Sequence, residues 1–244
     1  MKKISLIIHR ALIIAVLLLA TINIGAQNQL LIVGEYGNGK NETTLVSNND
    51  DVTTIQFNLN EIELVEVETN EGKAFLVESS KAPVMMEMGS PSLFYLTSSI
   101  IIPPTGNTAA EITYGQYTDY ENIEIAPSKG KLTRDVDPQT IPYIKGDIYQ
   151  INEFYPGTLG SLREPFILRD MRGQSIDVFP VQYNPVTKVL RIYSEITVSV
   201  QNTKEQGFNE LNNSRENKSE IKEFNDIYKS LFLNYTPSDR KSVV

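Results

Sequence analysis

Pro165 to Gln201 reads PFILRDMRGQSIDVFPVQYNPVTKVLRIYSEITVSVQ, and the spacing of its apolar residues sets the fold class. Phe166 to Asp170 has the texture of a strand, and Arg172-Gly173 that of a turn. Ile176 to Tyr183 forms a second strand and Asn184-Pro185 a second turn. From Val189 to Val200 the alternation is strict. Leu190, Ile192, Ser194, Ile196, Val198 and Val200 share one face, and Arg191, Tyr193, Glu195, Thr197 and Ser199 share the other. A period of two places one set on a core and the other in water, the pattern of an antiparallel meander.

The flanking sequence continues in the same style. Ile55, Phe57 and Leu59 have one parity and Ile62 and Leu64 the other, which predicts strands separated by a bulge or bend near Asn60. Thr69 to Gly72 is a turn signal that returns the chain through Phe75-Leu76-Val77. Leu93 to Ile102 is β-branched and closed by Pro103-Pro104, and Ile112, Tyr114, Tyr117, Ile123 and Ile125 extend the pattern. Between Ala126 and Gly160, Pro127, Gly130, Pro138, Pro142, Gly146, Pro156 and Gly157 leave no room for long elements. Long irregular segments on a rigid scaffold are commonly functional. Residues 203–218 read as a polar linker. Residues 219–233, capped by Ser219, place Ile221, Phe224, Ile227, Tyr228, Leu231 and Phe232 at helical spacing. Strands do not alternate with helices, which argues against a doubly wound α/β fold. The expectation is an all-β chain over 27–202, an antiparallel β-sandwich-like or open-barrel fold with a short C-terminal amphipathic helix and a polar tail over 234–244.

Composition restricts the chemistry. The 244 residues include no cysteine, no tryptophan and one histidine, His9. Residues 1–26 read as a secretory signal peptide, with Lys2, Lys3 and Arg10 before an apolar run from Ala11 to Ala20, and cleavage after Ala26. The exported chain then contains neither histidine nor cysteine, so no Ser-His-Asp or Cys-His arrangement can form. Loss of three basic residues leaves 19 basic against 30 acidic ones, a net charge of −11. That balance disfavours nucleic acid and anionic membranes as partners. Asn48-Asn49-Asp50-Asp51 lacks the glycine and distal glutamate of a calcium loop, and Glu61, Glu63, Glu66 and Glu68 read as a solvated strand face. No cofactor or metal site is indicated, and the composition favours a non-enzyme.

A set of short blocks, in order, carries a family resemblance. They are Ala126-Pro127-Ser128-Lys129-Gly130, Asp137-Pro138, Ile141-Pro142-Tyr143 with Gly146, and Phe154-Tyr155-Pro156-Gly157. They continue with Glu164 to Asp170, Arg172-Gly173-Gln174, Gln182 to Lys188 and Leu190 to Tyr193. From about Gly89 to Tyr235 the chain resembles the N-terminal prodomain of the gingipains, secreted cysteine endopeptidases with a caspase-like catalytic fold, and in particular of the arginine-specific ones. The resemblance implies a β-rich prodomain that inhibits its own protease, keeps the zymogen latent and assists its folding. The partner is a gingipain-like catalytic domain, encoded downstream or acting in trans. The expected location is the periplasm, the outer-membrane surface or the medium.

An inhibitor of an arginine-specific protease must fill a specificity pocket that ends in a carboxylate. The planar guanidinium fork of arginine matches that carboxylate in a way lysine does not. Arg134 is the sole arginine of the irregular stretch 126–146, and the family pattern has an arginine at the matching position. Arg134 is therefore expected to enter the S1 pocket, with Thr133 and Leu132 on the non-prime side and Asp135 and Asp137 holding the loop. Arg240, in the tail, is the expected processing site. A rival reading places Tyr114, Tyr117, Tyr120, Tyr143, Tyr149 and Tyr155 on one glycan- or peptide-binding face of a surface adhesion module.

Overall fold

Fourteen strands run through the described residues, which in this computed structural model are 29–33, 41–211 and 222–237. The expected signal peptide with Ala26, and the part of the tail beyond Pro237 with Arg240, lie outside them, while Asn234 and Tyr235, expected in that polar tail, are buried. The first half holds β1 (Gln29–Ile32), β2 (Glu42–Asn48), β3 (Val52–Asn58), β4 (Glu61–Thr69), β5 (Gly72–Glu78), β6 (Leu96–Ile101), β7 (Thr108–Tyr114) and β8 (Tyr117–Tyr120). The second half holds β9 (Gly160–Leu162), β10 (Phe166–Leu168), β11 (Met171–Val178), β12 (Val181–Asn184), β13 (Val189–Tyr193) and β14 (Glu195–Asn202), followed by the helix α1 (Lys222–Leu231). All strand pairs are antiparallel.

These strands form four small sheets that face each other in two pairs. The sheet β2-β3-β14-β7 packs on β10-β11-β6, to which β9 is added. Ile55, Phe57, Ile100, Ile176, Val178, Ile196 and Val198 fill the space between them. The sheet β1-β4-β5 packs in the same way against β12-β13-β8 around Ile62, Leu64, Val77, Leu93, Phe94, Ile125, Tyr183 and Leu190. The predicted antiparallel, sandwich-like layering is present, split into a first lobe made of β1-β4-β5 with β12-β13-β8 and a second lobe made of β2-β3-β14-β7 with β10-β11-β6.

Four ribbons pass from one lobe to the other at the same level. They are β3 to β4 through Leu59-Asn60, β7 to β8 through Gly115-Gln116, β11 to β12 through Phe179-Pro180, and β13 to β14 through Ser194. At this waist Leu59 N donates to Ser194 O (2.9 Å), Ser194 N to Gln116 O (3.2 Å), Gly115 N to Glu195 O (3.1 Å) and Tyr193 N to Pro180 O (2.8 Å). The backbone groups that leave the ladders are thereby paired with one another. The single strand expected from Val189 to Val200 is in fact two, each in a different sheet. Its alternation holds on either side of the break, with Leu190 and Ile192 buried in one core and Ile196, Val198 and Val200 in the other, but Tyr193, expected on the solvent face, is buried because the ribbon turns there into the second core.

Arg172-Gly173 also differs from expectation. These residues lie within β11, and the hairpin turns at Arg169-Asp170, where Arg169 takes φ +59. Gly173 serves packing. A Cβ there would sit 2.4 Å from the Phe232 ring and 2.8 Å from that of Phe166, so only glycine admits the helix onto the sheet.

Helix α1 sits on the outer face of β10-β11-β6. Tyr228, Phe232 and Tyr235 are buried against Ile101, Phe166, Leu168 and Met171, with the Phe166 and Phe232 rings stacked at 6.0 Å. Ile227 and Leu231, expected on the same stripe, face solvent. Beyond the helix, Asn234 pairs with both backbone groups of Ile101 (2.7 and 2.9 Å), acting as one more rung on the sheet.

The segment 203–211, expected within a polar linker, is tied to the second lobe. Leu211 N donates to Pro104 O (2.8 Å), Asn107 N to Glu205 O (2.7 Å) and Thr203 N to Asn107 O (2.9 Å). At its centre lies Arg172, 1% exposed, whose guanidinium donates to the carbonyls of Pro103 (2.9 Å), Gly106 (2.9 Å) and Phe208 (2.7 Å). A buried cation is costly unless its donors are satisfied, and here backbone carbonyls from two loops satisfy both terminal nitrogens, while the buried Nε has no partner. Replacing Arg172 by Met leaves three inward carbonyls without donors and is expected to destabilise the fold by about 3 kcal/mol. The shift of the denaturant midpoint at constant slope measures it.

Candidate functional site

The loop that follows Ala126 is held by backbone groups of the first lobe. Phe75 of β5 donates to Glu124 O (2.8 Å) and accepts from Ala126 N (2.8 Å), so residues 124–126 line the edge of that sheet. On their other side, Ser92 N donates to Ala126 O (2.9 Å) and Ser128 N to Ser90 O (2.7 Å). The loop's two legs then meet at Gly89. Its N–H donates to Ser128 O (3.0 Å) and its carbonyl accepts from Gly146 N (2.9 Å). The approach is tight on both sides, and Gly89 takes φ +79, a conformation that favours glycine. A Cβ on Gly89 would lie 3.0 Å from Gly146 N, and one on Gly146 would lie 3.2 Å from Gly89 O.

Side chains fasten the second leg. Lys145 Nζ pairs with Glu124 Oε1 (2.6 Å) and Glu71 Oε2 (2.8 Å), while Lys188 Nζ takes Glu124 Oε2 (2.9 Å). Within the loop, Lys129 Nζ donates to Pro138 O (2.8 Å) and lies 3.9 Å above the Tyr143 ring, which draws the two halves together. Asp137 Oδ1 accepts from Gln139 N (2.9 Å) and caps a 3₁₀ turn over Pro138–Thr140.

Arg134 stands at the tip. Val136 N donates to Thr133 O (3.1 Å), which closes a turn over Thr133, Arg134, Asp135 and Val136. The Asp135 carboxyl is held below its ordinary value, first by a hydrogen bond from the Thr133 side chain and then by its own backbone N–H. Arg134, Thr133 and Asp135 are exposed and Leu132 is half-buried. The structure thus brings together the four residues selected from the sequence.

The other described arginines are all engaged. Arg163 pairs with Asp177 (2.7 Å), Arg169 lies 4.3 Å over Phe224, Arg172 is buried, and Arg191 grips Asp119 with two bonds of 2.7 Å between the Tyr117 and Phe154 rings. Among the described residues, Arg134 alone presents its guanidinium to solvent with no hydrogen bond, ion pair or ring contact.

The six tyrosines do not share a face. Tyr149 is largely buried, with its hydroxyl on Ile125 O (2.8 Å), and burial raises its pKa far above the ordinary tyrosine value. Tyr155 donates to Glu87 (2.9 Å) and is pushed up to about 12 by burial and then by that carboxylate. Tyr143 lies beneath Lys129, and Tyr120 packs on the first core. Tyr114 and Tyr117 remain exposed, on either side of Tyr193. No group of three His, Cys, Asp or Glu suited to a metal occurs among the described residues. The clasp at Gly89 and the Glu124–Lys145 pair escape sequence reading. Their partners are distant in the chain, and no local spacing marks them.

Burial opposes the charge on Glu124, but the hydrogen bonds from Lys145 and Lys188 outweigh it and hold the carboxyl below its ordinary 4.5. A depressed carboxyl stabilises the fold above its unfolded value and loses that contribution as pH falls through the folded one. The Glu124→Gln variant is therefore expected to melt lower than wild type at pH 7. The gap should close as pH drops below 4.5, Glu124's ordinary value. Melting curves across pH 3 to 7 test this, and a gap independent of pH would contradict it.

Comparison with known proteins assigns the chain to a family. The Propeptide_C25 family model matches residues 34–232. Gingipain R1 from Porphyromonas gingivalis is 41% identical over 203 residues, 83% of this chain and 20% of its own length. Gingipain R2 from the same species is 42% identical over 160 residues, 64% of this chain and 22% of its own length. The chain therefore spans about a fifth of these relatives. A solved complex of the P. gingivalis RgpB pro- and mature domains superposes with TM-score 0.72 at 37% identity, covering 79% of this chain and 97% of that one. A structure concerning the zymogenic latency of gingipain K shares the fold at TM-score 0.62 and 22% identity, covering 75% of this chain and 100% of that one. With a propeptide match running from the first lobe through helix α1 and a related pro-domain superposing on it, this chain is a non-catalytic prodomain of the Propeptide_C25 family, the family of the gingipain propeptides.

Proposed function

We propose that this chain keeps an arginine-specific, gingipain-type cysteine protease latent by placing Arg134 in its S1 pocket. The observation that carries the reading is the isolated guanidinium of Arg134 on a turn whose two legs are clasped at Gly89. A prepaid geometry of this kind reduces the ordering cost of binding. The Val136 N to Thr133 O bond also bends the backbone at the Arg134–Asp135 peptide, away from the extended form in which proteases cleave. Leu132 and Thr133 precede Arg134 and would run along the non-prime side. The RgpB complex, in which a related prodomain accompanies a mature domain, supports a catalytic domain as the partner.

The same attachment supports a folding role, because a preformed two-lobed scaffold offers the catalytic domain a template while both are exported. The signal-like composition of residues 1–26, with cleavage after Ala26, supports export to the periplasm, the outer-membrane surface or the medium.

Against an arginine-specific gingipain, Arg134→Ala is expected to raise the inhibition constant by about a hundredfold, the scale of a central interface anchor. Arg134→Lys should fall between, because an ammonium cannot make the bidentate contact. Unchanged inhibition by Arg134→Ala would reject the assignment. Activation is proposed to follow cleavage after Arg240. Sequencing the new N-terminus of a processed precursor should return Lys241, and any other first residue rejects that site.

A further inference from the structure

Beside the Arg134 loop the surface is unusually apolar for so acidic a protein. Met88 is 72% exposed and Ile144 64%, more than any other large apolar side chain among the described residues, and Met86 is 55% exposed. Solitary exposed apolar side chains are ordinary, whereas a group at one place marks an interaction surface. The clasp brings Met88 and Ile144 to one place, and Met86 lies two residues before Met88 in the chain. Met88 lies against the first leg, since its Cβ is 3.0 Å from where a Cβ on Gly130 would be. Ile144 belongs to the second leg, and its carbonyl is 3.5 Å from the corresponding point on Gly89.

The display is also rigid. Glu87 to Ser90 forms a turn closed by Ser90 N to Glu87 O (3.2 Å), with Gly89 at φ +79, which a side chain would strain. Glu87, between the two methionines, is turned back to accept from the Tyr155 hydroxyl (2.9 Å), and Tyr155 is itself bridged to Tyr183 of β12. The methionines are thus held outward on a fixed backbone. Met is enriched at the centres of interfaces because its unbranched thioether adapts to an uneven partner.

We propose that Met86, Met88 and Ile144 form an exosite that docks the catalytic domain of the gingipain-type protease outside its S1 pocket, on the surface flanking the cleft that receives Arg134. The inference rests on the inhibitory reading of Arg134 and adds a second point of attachment to it. The occupant is fixed by continuity: any protein that takes up Arg134 from this loop is brought against both legs, where the three side chains lie. Two attachments also divide the labour. Arg134 selects a protease by its pocket, while the exosite retains the prodomain on its own protease when the pocket is occupied by something else.

The test uses the full exported chain and mature gingipain R1 in two forms, active and with its pocket filled by a covalently bound arginyl chloromethyl ketone. Wild type is expected to inhibit the active form and still bind the blocked form. The triple variant Met86→Ser, Met88→Ser, Ile144→Ser should lose about tenfold or more in both measurements with an unchanged melting temperature. Arg134→Ala should bind the blocked form as wild type does. Met88→Ala alone, expected to lose about threefold, serves if the triple variant does not fold. Equal binding of the blocked form by wild type and the triple variant overturns the exosite while leaving the Arg134 reading intact. So does a prodomain that binds only the active form. Failure of wild type to inhibit the active form overturns both. Sedimentation showing a prodomain dimer that the triple variant abolishes would assign the patch to a second copy of the chain and overturn the proposal.

Discussion

The hydrogen bonds around Ser194 hold the architecture together. A ribbon that leaves one sheet and joins another exposes the polar backbone at the crossing, and an unpaired buried amide is expensive. This protein places four such crossings at one level, so that Leu59, Gly115, Gln116, Pro180, Tyr193, Ser194 and Glu195 satisfy one another. The side chains add a second tie. Tyr193, buried in the core of the second lobe, donates its hydroxyl to Gln182 of β12 in the first (3.1 Å), and Gln182 donates in turn to Pro156 O (2.6 Å). The two lobes therefore meet through backbone and buried polar contacts as well as through chain continuity.

That rigidity is what the loop at 129–146 depends on. Its root lies between Phe75 of β5 and the segment 89–92, both part of the first lobe, and its second leg is held by Glu124 and Glu71 through Lys145. Exposed ion pairs contribute little singly, but here three of them converge on one partly buried carboxylate, Glu124, or its lysine. The clasp at Gly89 has a different character. It relies on the absence of two Cβ atoms, and it brings residues 128 and 146 to one point. Ordering so long a loop only on binding would weaken the complex, whereas a loop ordered in the free chain makes its cost part of folding.

Most of the strand content was legible in the alternation of apolar residues, and the amphipathic helix in its three- and four-residue spacing. The irregular character of 126–146 was legible too, from its Pro and Gly, and Arg134 stands out in it as the one arginine, whereas the turn closed by Val136 and Thr133 carries no such mark. The errors share a cause. Arg172-Gly173 carries a turn-like composition yet lies within β11, because Gly173 makes room for two phenylalanine rings from distant parts of the chain. Ile227 and Leu231 fit the apolar stripe yet face water, because the helix meets the sheet through Tyr228, Phe232 and Tyr235.

By itself the sequence determined the periodicity, and with it the antiparallel β class, the absence of cysteine and the isolation of Arg134 in an irregular segment. Those properties are local, written in residues a few positions apart. The tertiary structure decided which sheet each strand joined, that one ribbon serves two cores by breaking at Ser194, and that Gly89 fastens both legs of the loop. These follow from contacts between residues far apart in the chain, where the identity of a glycine or serine gives no sign of the neighbour it will meet.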